Sequence, residues 1–181
     1  VLKASEFSPG THLLIAQVFR EAGLPKGVLN VVTNAPNDAQ EVVGALIAHR
    51  AVRRVNFTGS SRVGRIIAET AGRHLKPVLL ELGGKSPLVV LDDADIDEAV
   101  NAAIFGAFVY QGQVCMSTER IVVDDSIGDV FVTRLAARAA TLPVGDPRKG
   151  ACVIGPLITG ESSKRLSGLI DESVRQGAVL V

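Results

Sequence analysis

Cysteine is scarce in this sequence. Cys115 and Cys152 are the two present among 181 residues, too few for a disulfide framework or a four-thiolate zinc site. Reduced thiols in a cytoplasmic protein are the expectation. Net charge is also lacking: 19 Lys and Arg balance 19 Asp and Glu. Charge therefore makes no case for nucleic acid or an anionic membrane as partner. His12, His49 and His74 have no metal-ligand spacing, so no metal is expected. No basic stretch followed by an apolar run opens the chain, and no secretory signal is read. The longest run without charge covers residues 99–118, but Asn101, Gln111, Gly112, Gln113 and Ser117 interrupt it. Bare amides are costly in lipid, so the run reads as a buried helix followed by a loop. Repeats, low-complexity tracts and long linkers are absent.

What is present is ordinary for a soluble globular protein: 47% apolar and 21% charged residues. The length suits one domain, or one and part of another. A compact chain of this size buries roughly 70% of its unfolded surface. Val1 rather than Met opens the sequence, Lys3 follows at once, and residues 177–181 read as a β-strand still running. The expectation is an internal piece of a longer protein.

Strands and helices alternate along the chain. Ser8-Pro9 marks a helix start, and Gly23 with Pro25 its end. A β-rich run at 28–32 precedes a helix over 38–48, with Val42, Val43, Leu46 and Ile47 inward. A strand at 52–57 leads through Thr58-Gly59-Ser60-Ser61 into a helix over 61–72. Apolar runs at 78–82 and 88–91 flank Gly83-Gly84-Lys85-Ser86-Pro87. Asp95 caps a helix reaching Phe108. A strand at 120–124 and helices over 127–141 and 161–176 complete the order. This alternation predicts an α/β protein with a largely parallel sheet. The Gly83-Gly84 pair is the candidate domain crossing.

Several residues can carry chemistry. The strand–loop–helix junction at Gly59-Ser60 offers a helix N-terminus, which suits phosphate. Its glycine spacing is not the dinucleotide fingerprint. Arg65-Ile66 stands where a P-loop requires Lys-Ser/Thr, which removes a nucleotide hydrolase. A Ser-capped helix without ligand is the plainer reading. Lys3 and Glu6 can together hold two ribose hydroxyls, or form a solvated charge pair. Glu81 ends an apolar run, where a carboxylate can act as general base, or can pair with Lys85. Cys115 follows the buried helix. A free thiol has pKa near 8.5, so as a nucleophile it needs nearby donors; otherwise it is an inert packed residue. Cys152, between Ala151 and Val153, reads as inert. The acidic cluster 92–98 reads as a helix N-terminus, since it lacks the EF-hand spacing.

Four pieces in order alter these readings together: Lys3-Ala4-Ser5-Glu6, Phe57-Thr58-Gly59-Ser60, Leu80-Glu81-Leu82-Gly83-Gly84-Lys85-Ser86-Pro87 and Gly112-Gln113-Val114-Cys115. Glu81 stands 34 positions before Cys115. The sequence resembles the aldehyde dehydrogenase superfamily along essentially its whole length, including Gly145-Asp146-Pro147 and Gly155-Pro156-Leu157-Ile158.

The resemblance implies a Rossmann-type parallel sheet with helices on both faces, joined to part of a second α/β domain. Residues 1–82 would be the C-terminal part of an NAD-binding domain, and 83–181 the N-terminal part of a truncated catalytic domain. It implies Cys115 as nucleophile and Glu81 as general base. Lys3 and Glu6 would flank the adenosine ribose, and Gly59 and Ser60 the pyrophosphate. Leu82 and Gly83 complete the implied cofactor contacts. The Glu6 carboxylate should repel a 2′-phosphate, favouring NAD, with NADP possible. The implied reaction passes through a thiohemiacetal and a thioester on Cys115, which water activated by Glu81 hydrolyses to an acid. The Cys115 N–H is one candidate oxyanion donor; the family's Asn donor and its Glu-x-Phe-Gly-Pro element are not among these residues. The isolated piece is therefore expected to be inactive. Dimers or tetramers are implied for the complete protein.

The stretch Gln111 to Arg120 is most similar to the aromatic-aldehyde branch, the salicylaldehyde and vanillin dehydrogenases, which points to aromatic catabolism. Ser117 departs from the smaller residue many relatives have there. Phe105, Phe108 and Tyr110 are either apolar wall near Cys115 or core. The alternatives are an acylating enzyme that passes the thioester to coenzyme A, an aliphatic or semialdehyde dehydrogenase of the same fold, and a non-catalytic descendant. Glu81 argues against the first, and the retained site residues against the last.

Overall fold

The computed structural model describes residues 1–181, which divide into two compact units, Val1–Leu82 and Gly83–Val181. In the first, β1 (Leu2–Lys3) precedes α1 (Pro9–Glu21) and pairs in parallel with β2 (Val31–Val32). Pro9 opens α1, where a missing N–H costs nothing; Ser8 precedes it but makes no side-chain cap. Beyond the helix Gly23 turns the chain at φ +88°, a left-handed conformation open to glycine. A 3₁₀ turn (Pro36–Asp38) runs into α2 (Ala39–Ala48).

β3 (Val55–Gly59), α3 (Ser61–Arg73) and β4 (Val78–Leu82) form a parallel crossover unit. Its residues alternate by faces. Val55, Phe57 and Val78 pack with Val43 and Val63 on the buried Ile47, Ile67 and Ala71 of α2 and α3. Burying side chains such as Ile47 and Ile67 stabilises by roughly 1.5–3 kcal/mol each. Gly64 lets α3 approach β4: a Cβ there would lie 2.8 Å from a Leu82 methyl. Lys76 donates to the Ile47 and His49 carbonyls at the end of α2, where a cation offsets the helix dipole.

The second unit contains β5 (Ser86–Val90), α4 (Ile96–Phe108), β6 (Thr118–Val123), α5 (Gly128–Ala140) and α6 (Gly160–Arg175). β5 and β6 are parallel. The Asp95 carboxylate accepts from the N–H groups of Asp97 at 3.0 Å and Glu98 at 3.1 Å. The acidic cluster thus starts α4, as its position foretold. Val90, Val100, Ala103 and Phe131 form the core, with Ile121 and Val123 of β6 packed against it. Arg134 of α5 pairs with Asp97 of α4 at 2.5 Å. A bridge between Val144 and Ile154 closes the loop before α6.

All three ladders are parallel, in keeping with the predicted α/β class, and each has two strands. Residues 28–32 contribute Val31–Val32 alone, and the strand expected at 120–124 starts earlier, at Thr118. Residues 177–181 form no strand, against expectation: no neighbouring strand accepts their hydrogen bonds, and Val179, Leu180 and Val181 are exposed. The uncharged run 99–118 becomes α4, a 3₁₀ turn (Val109–Gly112) and a tight turn. No helix is long and apolar enough to cross a membrane.

Candidate active site

Lys3 and Glu6 meet just beyond β1. The ammonium donates to Glu6 Oε1 at 2.5 Å, to the Ala4 carbonyl at 2.6 Å and to Asn34 Oδ1 at 3.3 Å. Asn34 Nδ2 donates to the same Glu6 oxygen at 3.1 Å. These bonds, the Lys3 one foremost, lower the Glu6 carboxyl to about 2. The pair is therefore a partly buried network and not a solvated one: the side chains retain 22% and 16% of their exposure. Asn34 is a member the sequence reading missed. Its signal was its place just after β2, the strand paired with β1.

The β3–β4 ladder brings two further motifs together. Gly59 stands opposite Leu82 and Thr58 opposite Glu81. Ser60 caps α3, accepting from the Val63 N–H at 3.3 Å. The N–H groups of Ser61 and Arg62 have no partner in the chain, the usual state of a helix start that can receive an anion. A Cβ on Gly59 would lie 2.5 Å from the Phe57 ring, so a side chain there would have to displace that ring. Leu82 rests on Gly64, and Gly83 is exposed. Glu81 is exposed on the same face as Thr58, and the apolar enclosure expected around it is not supplied by its own ladder. The bland alternative is also corrected, since Lys85 pairs with Glu119 instead.

Cys115 is a free, exposed thiol. It sits in a turn whose ends are tied twice: the Ser117 N–H donates to the Val114 carbonyl at 2.9 Å, and the Val114 N–H to Ser117 Oγ at 3.3 Å. Ser117 is buried. The Cys115 N–H donates to no group of the chain, so it is available beside the thiol. An inert packed cysteine is excluded within this unit.

The chain reaches this turn through an unusual path. Tyr110, Gln111 and Gly112 all have positive φ, of 52°, 62° and 69°. For the two non-glycine residues this is a strained conformation, of a kind that collects at functional sites. Gln113 Nε2 donates to Gln111 Oε1 at 2.8 Å. The Gln111 amide lies so close to Gly155 that a Cβ there would stand 2.7 Å from Nε2. Gly155 follows the Val144–Ile154 bridge, which thus brings the Gly155 segment against the cysteine loop. Asp146 in that segment is held below the usual carboxylate range by Arg148, which it binds at 2.9 and 2.7 Å. Gly106 seats α4 on β6: a Cβ would lie 2.4 Å from Thr118 Oγ1. Phe105 and Tyr110 are exposed and Phe108 is half-buried, so the first two are not core within this unit. Cys152 is half-buried.

Residues 1–181 match the aldehyde dehydrogenase family. The chain is 58% identical over 181 residues to the vanillin dehydrogenase of Pseudomonas fluorescens, covering 100% of this chain and 38% of that protein. It is 54% identical over 182 residues to the salicylaldehyde dehydrogenase of Pseudomonas putida, with the same coverage of 100% and 38%. The crystal structure of a salicylaldehyde dehydrogenase from Pseudomonas putida G7 complexed with salicylaldehyde superposes with a TM-score of 0.95 at 56% identity, over 99% of this chain and 37% of that one. The chain therefore spans little more than a third of the length of these relatives. With the family match running from its first residue to its last, this chain belongs to the aldehyde dehydrogenase family.

Proposed function

We propose that the complete protein oxidises an aromatic aldehyde to the carboxylic acid with NAD, through a covalent intermediate on Cys115. The observation that carries this reading is the tied turn, which exposes the Cys115 thiol beside its own unpartnered N–H. The Cys115 thiolate adds to the carbonyl carbon, forming a C–S bond and an oxyanion. The Cys115 N–H donates to that oxyanion, stabilising charge where it develops. A dinucleotide held by Lys3, Glu6, Gly59 and Ser60 would, when bound, supply the acceptor for the hydride that this oxidation releases. Glu81 takes a proton from water, the resulting hydroxide attacks the thioester, and the C–S bond breaks to release acid and thiolate. Splitting the oxidation in two lowers each barrier.

The residues present fit a dinucleotide. The family's cofactor is NAD(P). Lys3 and Glu6 would hold the adenosine ribose, for no donor from another residue reaches Glu6 Oε2. The free N–H groups at the start of α3, with Gly59 and Ser60, would receive the pyrophosphate. Leu82, level with Gly59, extends that edge, and Gly83 follows it in the chain. Glu6 stays ionised at working pH and opposes a 2′-phosphate, which supports NAD over NADP. Similarity to vanillin and salicylaldehyde dehydrogenases supports an aromatic substrate. A cytoplasmic dimer or tetramer completes the reading.

The test follows NAD reduction by the complete protein with salicylaldehyde, vanillin, benzaldehyde and a short aliphatic aldehyde. Products are identified with and without coenzyme A. Faster turnover of an aromatic member and free acid as product are expected. Equal or better use of the aliphatic aldehyde overturns the substrate class, and acyl-coenzyme A without free acid overturns the reaction.

A further inference from the structure

We infer that Asn34 is a positioning residue that fixes the Lys3–Glu6 pair and thereby sets the preference for NAD over NADP, an inference that rests on the cofactor reading above. The parallel pairing of Lys3 with Val32 sets the segments after β1 and β2 side by side. Asn34, two residues beyond β2, then reaches both members of the pair. Its Oδ1 accepts from Lys3 at 3.3 Å, and its Nδ2 donates to Glu6 Oε1 at 3.1 Å and to the Ala35 carbonyl at 2.8 Å. The amide orientation follows from chemistry: reversed, it would set a donor against the ammonium and an acceptor against the carboxylate.

An aspartate could accept from Lys3 but could not donate to Glu6. A leucine could do neither. Asn34 therefore has the side chain that bridges an ammonium and a carboxylate at once. Through it Glu6 Oε1 receives two donors, so the carboxylate has lost most of its rotational freedom. A carboxylate fixed in advance binds hydroxyls at less ordering cost than a mobile one. It also cannot swing aside to admit a second anion. Two hydroxyls on a ribose gain from this arrangement, and a 2′-phosphate meets a negative charge that stays in place. The lowered pKa of Glu6 agrees with this, since Asn34 contributes to it alongside Lys3.

The experiment measures dissociation constants for NAD and for NADP, separately and without aldehyde, by titration calorimetry on the complete protein. The variants are Asn34→Ala and Asn34→Asp. Asn34→Ala is expected to weaken NAD about fivefold, the loss of one net hydrogen bond, and to narrow the gap between NAD and NADP. Asn34→Asp keeps the size and the acceptor for Lys3. It should weaken NAD as well, and NADP further, because it adds negative charge. Equal weakening of both cofactors by Asn34→Ala, or unchanged constants in both variants, overturns the inference while leaving the cofactor reading intact. Failure of the unaltered protein to bind either nucleotide overturns both.

Discussion

Replacing Ser117 by alanine tests how the cysteine turn is held. Ser117 Oγ accepts the Val114 N–H at 3.3 Å, and the Ser117 N–H returns to the Val114 carbonyl at 2.9 Å. Alanine removes the first bond and leaves the second. Ser117 itself is buried, but Val114 is half-buried, so water partly replaces the lost acceptor. The cost then falls at the low end of the range for an unsatisfied buried donor, about 1 kcal/mol. If that loss is borne by the turn alone, the equilibrium constant between the formed and opened turn falls by about fivefold. The aldehyde kcat/KM should fall, by up to about that factor, and NAD affinity should not move. The assay pairs steady-state oxidation at saturating NAD with the alkylation rate of Cys115, read by peptide mass spectrometry so that Cys152 is counted separately. An Ser117→Ala protein with unaltered kcat/KM and unaltered Cys115 alkylation refutes the argument that Ser117 positions the thiol.

Three further outcomes are expected. Glu81→Gln in the complete protein should keep the first burst of NAD reduction and slow the steady state, as stopped-flow absorbance would record; an unaffected steady state would assign the base to another group. Gly106→Ala should force Thr118 away from α4 and destabilise the protein by about 1–3 kcal/mol in denaturant unfolding, the usual cost of overpacking; an unchanged midpoint would contradict the close seating of that helix. Glu6, lowered from 4.5 to about 2 in the folded chain, stabilises above its unfolded value and loses that contribution as pH falls through the folded one. The stability difference between the parent and Glu6→Gln should therefore be full at pH 6 and shrink as pH falls from about 4.5 towards 2; a constant difference across that window would show that Glu6 carries no such linkage.

Local signals in the sequence marked the elements well where chemistry at the helix ends is local. Asp95 caps α4, Phe108 ends it, and Ser60 caps α3, because each depends on residues within a turn or two. Strand limits were less legible. Pairing decides them, so Val28 to Asn30 lie outside β2 and Thr118 lies inside β6 despite their similar composition. The site divided in the same way. Cys115, Glu81, Lys3 and Glu6 stand in compact motifs and could be singled out as candidates from the sequence. Asn34 was not, since its contacts with Lys3 and Glu6 cross 31 and 28 positions of chain. The Gly155–Gln111 approach and the left-handed path through Tyr110 and Gln111 were hidden for the same reason: each depends on tertiary packing that no local pattern encodes.

The most direct measurement is of Cys115 itself during turnover. The complete protein would be mixed with an aromatic aldehyde and NAD, quenched in acid within the first turnovers, digested and examined by mass spectrometry. The account predicts a peptide carrying the acyl group of the corresponding acid on Cys115, oxidised by two hydrogens relative to the simple aldehyde adduct, with Cys152 unmodified. Oxidation that proceeds while Cys115 remains unmodified, and that survives in Cys115→Ala, would contradict it.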